Sequence, residues 1–237
     1  MVSGPPADPP RAALVLLAAG HGTRLGQETN KVLLPLAGRP VFTWALHRAA
    51  TLPHICAVVL VVRAVDEPSV RATLARELAE QDLTVITGGA SRHESEWKAM
   101  CALRPSIEAG ATDVVVIHDA ARPLASVALF REVIGTAQRY GGAIPVIDQP
   151  TLVSLQPDST PVDQRTVIVQ TPQAFRAGPL LAAHTAAQGA DFVGTDTASC
   201  VQRFTDLPLR CVSGEDRNIK ITFAEDLLLA ERLLARS

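Results

Sequence analysis

Asp113-Val114-Val115-Val116-Ile117-His118-Asp119-Ala120-Ala121-Arg122-Pro123 is the stretch on which the reading of the fold turns. Four consecutive β-branched residues at 114–117 leave no polar position for a solvent-facing side, so the strand they predict is covered on both faces. Strands of that kind belong to parallel sheets held between two layers of helices. Polar residues arrive abruptly at His118 and Asp119, and in open α/β sheets ligands bind beyond the carboxyl ends of the strands.

Working outward, the same alternation continues in both directions. Apolar runs at residues 13–18, 57–62 and 83–87 predict strands, with helical character at 41–50, 67–80 and 93–103 between them. Beyond the central stretch come a predicted helix at 126–140, a strand at 143–147, a helix at 176–188, a short strand at 208–212 and a terminal helix at 223–235. The fold class this predicts is α/β, a doubly wound, mostly parallel, Rossmann-like sheet. The alternation breaks between Asp148 and Pro172, where Pro150, Pro157 and Pro161 punctuate short β-prone pieces such as residues 166–169. A stretch of that length without a helix predicts a protruding β-arm rather than a crossover. Residues 1–11 carry four prolines and no apolar run, which predicts a flexible tail. Residues 12–237 are then expected to form a single domain, with 148–169 as its arm.

Composition narrows the function. A formal net charge of −2 and the lack of any basic run exclude the electrostatics of a nucleic-acid binder. The apolar run at residues 12–19 is too short to cross a bilayer, and the opening segment lacks the apolar stretch of a signal peptide. Cys56, Cys101, Cys200 and Cys211 are scattered without CxxC or metal-ligand spacing. They read as reduced thiols, in keeping with a cytoplasmic protein that engages no membrane.

Three constellations carry chemistry. The first strand runs into Ala18-Ala19-Gly20-His21-Gly22-Thr23-Arg24-Leu25-Gly26, with Lys31 following. Small residues let a backbone approach an anion closely, and Arg24 and Lys31 suit phosphate. The dinucleotide fingerprint fails at Leu25, and no Gly-Lys-Ser/Thr completes a Walker loop; the plain alternative is a glycine-rich turn with two solvated cations. The second constellation is the opening stretch itself. Asp119 is of the hard-oxygen type that holds Mg2+, and Arg122 of the type that pairs with a phosphate in bidentate fashion. The alternative is a surface ion pair, with His118 structural. The third is Asn218-Ile219-Lys220-Ile221-Thr222, where Lys220 points away from its two isoleucine neighbours if the chain is extended, unless it only snorkels to water. Arg92, Glu94 and Ser95 after Gly88-Gly89 either contact a nucleotide or start a helix, and Thr195 and Asp196 are candidate N-caps.

Taken in order and spacing, these motifs resemble the 2-C-methyl-D-erythritol 4-phosphate cytidylyltransferase family. The resemblance runs from residue 16 to about residue 231. It is carried by Leu17-Ala18-Ala19-Gly20-x-Gly22-x-Arg24, Lys31, Gly88-Gly89-x-x-Arg92, residues 118–123, Pro145-Val146-x-Asp148, Thr171-Pro172-Gln173-x-Phe175, Thr195-Asp196-x-Ala198-Ser199 and residues 218–222. It implies the nucleotidyltransferase type of Rossmann-like fold and transfer of a cytidylyl group from CTP to 2-C-methyl-D-erythritol 4-phosphate, the third step of the non-mevalonate isoprenoid pathway, with Mg2+-bound pyrophosphate leaving. Catalytic roles fall on Arg24, Lys31 and Lys220. Nucleotide contacts fall on Ala18, Ala19, Gly20, Gly22, Gly89, Arg92 and Ser95. Acceptor contacts fall on Asp119, Arg122 and Thr171, with Thr151 and Arg165 as the counterparts in the arm, and Asp119 is the candidate metal ligand. The family arm exchanges between two subunits, which implies a homodimer.

The departures cluster on the acceptor side. Family members carry Asp-Thr-Ile/Met-Lys where this chain has Asp148-Gln149-Pro150-Thr151-Leu152-Val153, so Val153 stands in place of a lysine. Pro-Lys becomes Asn30-Lys31, Arg-x-Asp-Ser-Val becomes Arg92-His93-Glu94-Ser95-Glu96, and Thr197 stands where an acidic residue is often found. Two alternatives follow from this: transfer to another polyol phosphate such as ribitol 5-phosphate, or a nucleotide-binding regulator that has lost catalysis.

Overall fold

The computed structural model describes residues 9–20, 30–79, 83–149, 166–190, 192, 194 and 196–236. Its elements run β1 (Ala12–Leu17), a 3-10 turn (Lys31–Leu33), β2 (Pro35–Leu36), β3 (Arg39–Pro40), α1 (Val41–Ala49), β4 (Ile55–Val62), a second 3-10 turn (Ala64–Asp66), α2 (Glu67–Glu77), β5 (Thr84–Thr87), α3 (Arg92–Glu108), β6 (Val114–Asp119), α4 (Val127–Tyr140), β7 (Gly142–Asp148), β8 (Val167–Val169), β9 (Gln173–Arg176), α5 (Ala177–Ala187), α6 (Thr197–Phe204), β10 (Leu209–Ser213) and α7 (Ala224–Leu234). The main sheet has the order β10-β7-β9-β6-β1-β4-β5, with β8 paired to β7, and β2 and β3 form a separate small ribbon.

β1 pairs in parallel with β4 on one side and β6 on the other, and β4–β5 and β7–β10 are parallel as well. The expected doubly wound sheet is therefore present. Alternate residues of β1 feed the two layers. Ala13 and Val15 join a core with α3, α5 and α6 residues such as Met100, Leu180 and Val201. Ala12 and Leu14 face Phe130 and Val133 of α4, and Leu16 meets Phe42 and Leu46 of α1. Every residue of β6 is buried, as its unbroken β-branched run requires.

Three differences from the sequence expectations have physical reasons. β9 enters antiparallel between β6 and β7, pairing Val115 with Phe175 and Ala143 with Ala174. Gln173-Ala174-Phe175-Arg176 shows little strand pattern of its own, so the slot between two finished strands decides its conformation. Gly142 makes room for it, since a Cβ there would lie 2.9 Å from the Phe175 ring and 2.4 Å from Leu209. α3 runs on through Pro105, beyond the expected end at 103. Pro105 lies on an exposed face, as does Cys101, the residue whose carbonyl loses its partner, so water can satisfy it. α6 occupies a stretch between residues 188 and 208 for which no helix is predicted, although its N-cap, Asp196, is a candidate there and accepts from the Ser199 N–H at 3.0 Å. Of the arm, residues 148–149 and 166–169 are described, and β8 folds back on β7 with Val146 opposite Val169.

The sheet reverses its winding direction at β1, which has β4 and then β5 to one side and β6 to the other. That is the switch point where a crevice forms past the strand ends. Residues 18–20 after β1 and the loops after β5 and β6 meet there.

Candidate active site

The crevice at this switch point has a volume of about 250 Å3, and Ala18, Ala19, Gly20, Lys31, Gly89, Arg92, Ser95, Asp119 and Lys220 line it. Its floor is built by close approach. A Cβ on Gly88 would lie 2.5 Å from the Ala19 Cβ and 2.8 Å from the Ser95 Oγ, so only glycine lets the β5 loop lie against the end of β1. The Gly89 N–H donates to Ser95 Oγ at 3.0 Å, and the Ser95 hydroxyl donates to the Ser91 carbonyl at 2.9 Å. Ser91 caps α3 by accepting from the Glu94 N–H at 3.0 Å. The helix therefore starts here, and its first turn presents Arg92 and Ser95 to the crevice. Glu94 turns away from it, accepting from the Ala90 N–H at 2.8 Å.

Lys31 is placed by its neighbour. The Asn30 side chain is buried and donates to the Ala18 carbonyl at 3.0 Å and to Asp66 Oδ2 at 2.7 Å. It also caps the 3-10 turn, accepting from the Val32 N–H at 3.4 Å. Arg63 holds Asp66 through a hydrogen bond of 2.6 Å from Nε to Oδ2. The amide side chain in the position of the family proline thus ties the lysine's backbone to the end of β1. Nothing but the unexpected residue before Lys31 signals this in the sequence.

Charge is concentrated at Asp119, the last residue of β6. Arg92 Nη1 hydrogen-bonds one carboxylate oxygen, and Lys220 Nζ donates to the other at 2.7 Å. Burial alone pushes the Asp119 carboxyl up, but the charges of Arg92 and Lys220, with their hydrogen bonds, more than offset it and hold the group far below the carboxylate range. Arg92 is gripped from its other side by Glu96, whose Oε1 lies 2.8 Å from Arg92 Nε. Burial lowers the Arg92 guanidinium, yet Asp119 and Glu96 leave it raised above its ordinary value. Glu96 is enclosed: burial pushes its carboxyl up to about 7, against the opposing pull of Arg92 and the Thr197 hydroxyl, which donates to it at 2.9 Å. In the sequence Glu96 stands out only as a departure from the family pattern. Its place four residues after Arg92 on a helix is the signal that pairs them.

A second recess of about 560 Å3 adjoins the first, sharing Arg92, Asp119 and Lys220 with it and adding Arg122, Thr171, Gln173 and Asp196. Thr171 Oγ1 accepts from the Asp119 N–H at 3.0 Å and lies 3.1 Å from His118 Nδ1. Its own proton is therefore directed to Nδ1, which leaves Nε2–H of His118 to donate to the Arg122 carbonyl at 3.1 Å. Burial lowers the His118 imidazole to about 4, so it is neutral and structural. Asn218, fully buried, donates to the Thr171 carbonyl at 2.9 Å, and Arg122 Nη1 donates to the Asn218 carbonyl at 2.7 Å. Ile221 is buried against Leu36, Val41 and Leu124 while Lys220 faces the crevice. The opposite facing of these neighbours holds, although the segment is not a strand.

Ala18, Ala19, Gly20, Lys31, Gly89, Arg92, Ser95, Asp119 and Lys220 thus share one crevice, and Arg122 and Thr171 stand beside it in the second recess. Gly22, Arg24, Thr151, Val153, Arg165 and Thr195 lie outside the described residues, as does most of the tail. All four cysteines are free, and no described helix is long and apolar enough to cross a membrane.

The comparisons with known proteins meet this geometry. The family model described as 2-C-methyl-D-erythritol 4-phosphate cytidylyltransferase matches residues 12–236. A 2-C-methyl-D-erythritol 4-phosphate cytidylyltransferase of Geobacillus kaustophilus is 35% identical over 226 residues, covering 93% of this chain and 96% of its own. Among solved structures, the 4-diphosphocytidyl-2C-methyl-D-erythritol synthase of Anaerococcus prevotii superposes with a TM-score of 0.81 at 25% identity, over 96% of this chain and 97% of its own. The 2-C-methyl-D-erythritol 4-phosphate cytidylyltransferase of Thermus thermophilus gives a TM-score of 0.68 at 29% identity, over 94% and 98% respectively. With a mostly parallel sheet, a crevice at its switch point and this agreement over nearly its full length, the chain belongs to the 2-C-methyl-D-erythritol 4-phosphate cytidylyltransferase family.

Proposed function

We propose that this chain transfers the cytidylyl group of CTP to 2-C-methyl-D-erythritol 4-phosphate, the reaction its relatives are named for and a step of non-mevalonate isoprenoid biosynthesis. One observation carries the reading on the structural side: Arg92, Asp119 and Lys220 form the wall common to two adjoining recesses, one bounded by small residues and cations, the other by Arg122 and Thr171. A nucleotide in the first and an acceptor phosphate in the second meet across that wall.

In this reading an oxygen of the acceptor phosphate attacks the α-phosphorus of CTP. The bond from that phosphorus to the bridging oxygen breaks, and pyrophosphate leaves with the electron pair. Catalysis of this kind is mainly positioning and charge stabilisation. Lys31, set by Asn30, and Lys220, set by Asp119, bring fixed positive charge to the crevice. Arg24 joins them by the family pattern. Pre-aligned cations at developing charge are each worth several kcal/mol of barrier, roughly 3–4 kcal/mol for a single donor in well-studied cases.

Asp119 fits poorly as a direct magnesium ligand, because both of its oxygens carry cationic partners and a divalent ion would sit beside Arg92 and Lys220. We assign it instead to holding those two side chains. Magnesium would enter with CTP and would supply charge neutralisation on the leaving pyrophosphate. We also read the chain as a cytoplasmic homodimer. Support comes from its four free thiols and from the arm's base, where Val167, Ile168 and Val169 expose apolar side chains beside β7.

The test is pyrophosphate release with CTP and Mg2+ against a set of polyol phosphates that includes 2-C-methyl-D-erythritol 4-phosphate and ribitol 5-phosphate at equal concentration. Turnover with the first acceptor is the expected result. Preference for ribitol 5-phosphate overturns the acceptor assignment, and CTP binding without turnover on any acceptor overturns the enzyme reading.

A further inference from the structure

Next to Arg92 along α3, His93 comes together with His184 and Cys200, so that the three residues are drawn from three helices, α3, α5 and α6. A ring nitrogen of each histidine and the Cys200 sulfur lie within 4.8 Å of one another. His184 and Cys200 are fully buried. Both ring nitrogens of His184 and Nε2 of His93 are buried without a hydrogen-bond partner. Leaving such groups unpaired costs about 1–3 kcal/mol each, and a missing ion is a standard explanation of them. The Glu96 carboxylate stands at the edge of the group, its Oε2 3.5 Å from His184 Nε2.

We propose that His93, His184 and Cys200 form a site for a divalent, borderline-soft transition metal of the zinc class, with Glu96 within reach as the fourth ligand. Two imidazoles, a thiolate and a carboxylate are the donor types such an ion takes in a tetrahedral site. The thiolate and carboxylate offset the ion's charge in a buried setting, and the Cys200 thiol proton is released to solvent as the ion binds. At zinc bond lengths, ligand atoms of a tetrahedron stand about 3.3–3.7 Å apart, so the group must draw in. The two imidazoles are stacked, with centroids 5.1 Å apart and planes 18° from parallel, and an ion has to lie near both ring planes. His93 is the partner that turns, since its residue is only partly buried and its inner nitrogen has no hydrogen bond to lose. An ion there pins three helices of one face together, at the helix turn that carries Arg92.

The site is tested without nucleotide, so the outcome is independent of the transferase reading. Chelator-treated, reduced protein is titrated with Co2+ and then with Zn2+. The expected result is a thiolate-to-cobalt charge-transfer band that saturates at one equivalent and is displaced by Zn2+. Cys200→Ala abolishes the band, His184→Ala and His93→Ala each weaken Co2+ binding by at least about tenfold, and Cys101→Ala, on the exposed side of α3, leaves it unchanged. Circular dichroism reports whether each variant is folded, and His93→Ala, at the least buried ligand, serves if the core variants are not. Absence of a charge-transfer band at one equivalent in the unmutated protein overturns the proposal. So does a band that survives in folded Cys200→Ala, or binding that is insensitive to His93→Ala.

Discussion

Replacing Asp119 with asparagine isolates the charge at the centre of the site. Asparagine keeps the shape, and the backbone N–H of residue 119 keeps Thr171 as its acceptor, so the neighbouring turn is undisturbed. What changes is the pairing with two cations. The amide oxygen can accept from one of them, while the amide N–H groups face the other. Arg92 is the costlier loss, because its side chain is only 26% exposed and cannot turn to water. It retains Glu96 as a counterion, so the change at Arg92 amounts to one charge-assisted hydrogen bond, about 1.5–3 kcal/mol. Lys220, 45% exposed, can swing outward and loses at most about 1 kcal/mol. The sum is about 1.5–4 kcal/mol. In a chain of this length each kcal/mol moves the melting temperature by roughly 2–4 °C, so Asp119→Asn melts roughly 3–16 °C below the unmutated protein. Lys220→Ala, removing only the exposed half, melts less than about 4 °C below it. Thermal unfolding followed by circular dichroism without nucleotide reads both. Pyrophosphate release falls in both variants, because each displaces Lys220. Equal melting losses in the two variants, or an Asp119→Asn shift below roughly 2 °C, would falsify the account of Asp119 as the clamp on a buried Arg92.

Three further outcomes follow from the same geometry. Lys31→Ala lowers kcat for pyrophosphate release by at least about 100-fold with little change in melting, and near-normal turnover in this variant removes Lys31 from the reaction. Asn30→Ala cuts the ties from residue 30 to Ala18 and Asp66, so kcat drops although Lys31 is intact, while an unchanged rate shows that the lysine finds its place without them. Protonation of His118 is disfavoured in the folded protein, where burial lowers it from 6.5 to about 4. The unfolded chain therefore binds the proton first, and this contribution to stability is whole above pH 6.5 and lost as the pH falls toward 4. Between pH 7 and pH 5 that amounts to about 2 kcal/mol. Urea unfolding of the unmutated protein and of His118→Gln at the two pH values checks it, and equal losses in both place the sensitivity elsewhere.

Much of this architecture is written locally. Val114-Val115-Val116-Ile117 has no polar face to offer water, so burial on both sides was decided by the residues themselves, and with it the parallel, doubly wound sheet. Ser126 ahead of α4 and Gly141 after it, the latter at φ 123°, are end signals readable one residue at a time. The order of the glycine-rich loop, residues 118–123 and residues 218–222 along the chain was enough to assign the family and to nominate most of the crevice. These features depend on periodicity and on short-range backbone chemistry, which a linear string preserves.

Other features depend on which distant residues meet. β9 is a strand because β6 and β7 leave a slot for it and Gly142 admits Phe175, not because of its own four residues. Pro105 is tolerated in α3 because its side of the helix faces water. Asp119 reads in sequence as a metal ligand or as half of a pair with Arg122. Folding gives its oxygens to Arg92, 27 positions earlier, and Lys220, 101 positions later, and with them a different electrostatic role. Glu96 and Asn30 pass for family departures until burial shows that one grips Arg92 and the other sets Lys31. The sequence by itself determined the layers of this protein and the ends of the strands at which chemistry gathers, because both follow from local pattern. The tertiary structure alone decided which distant charges face each other, because pairing across 100 residues depends on packing that no local pattern encodes.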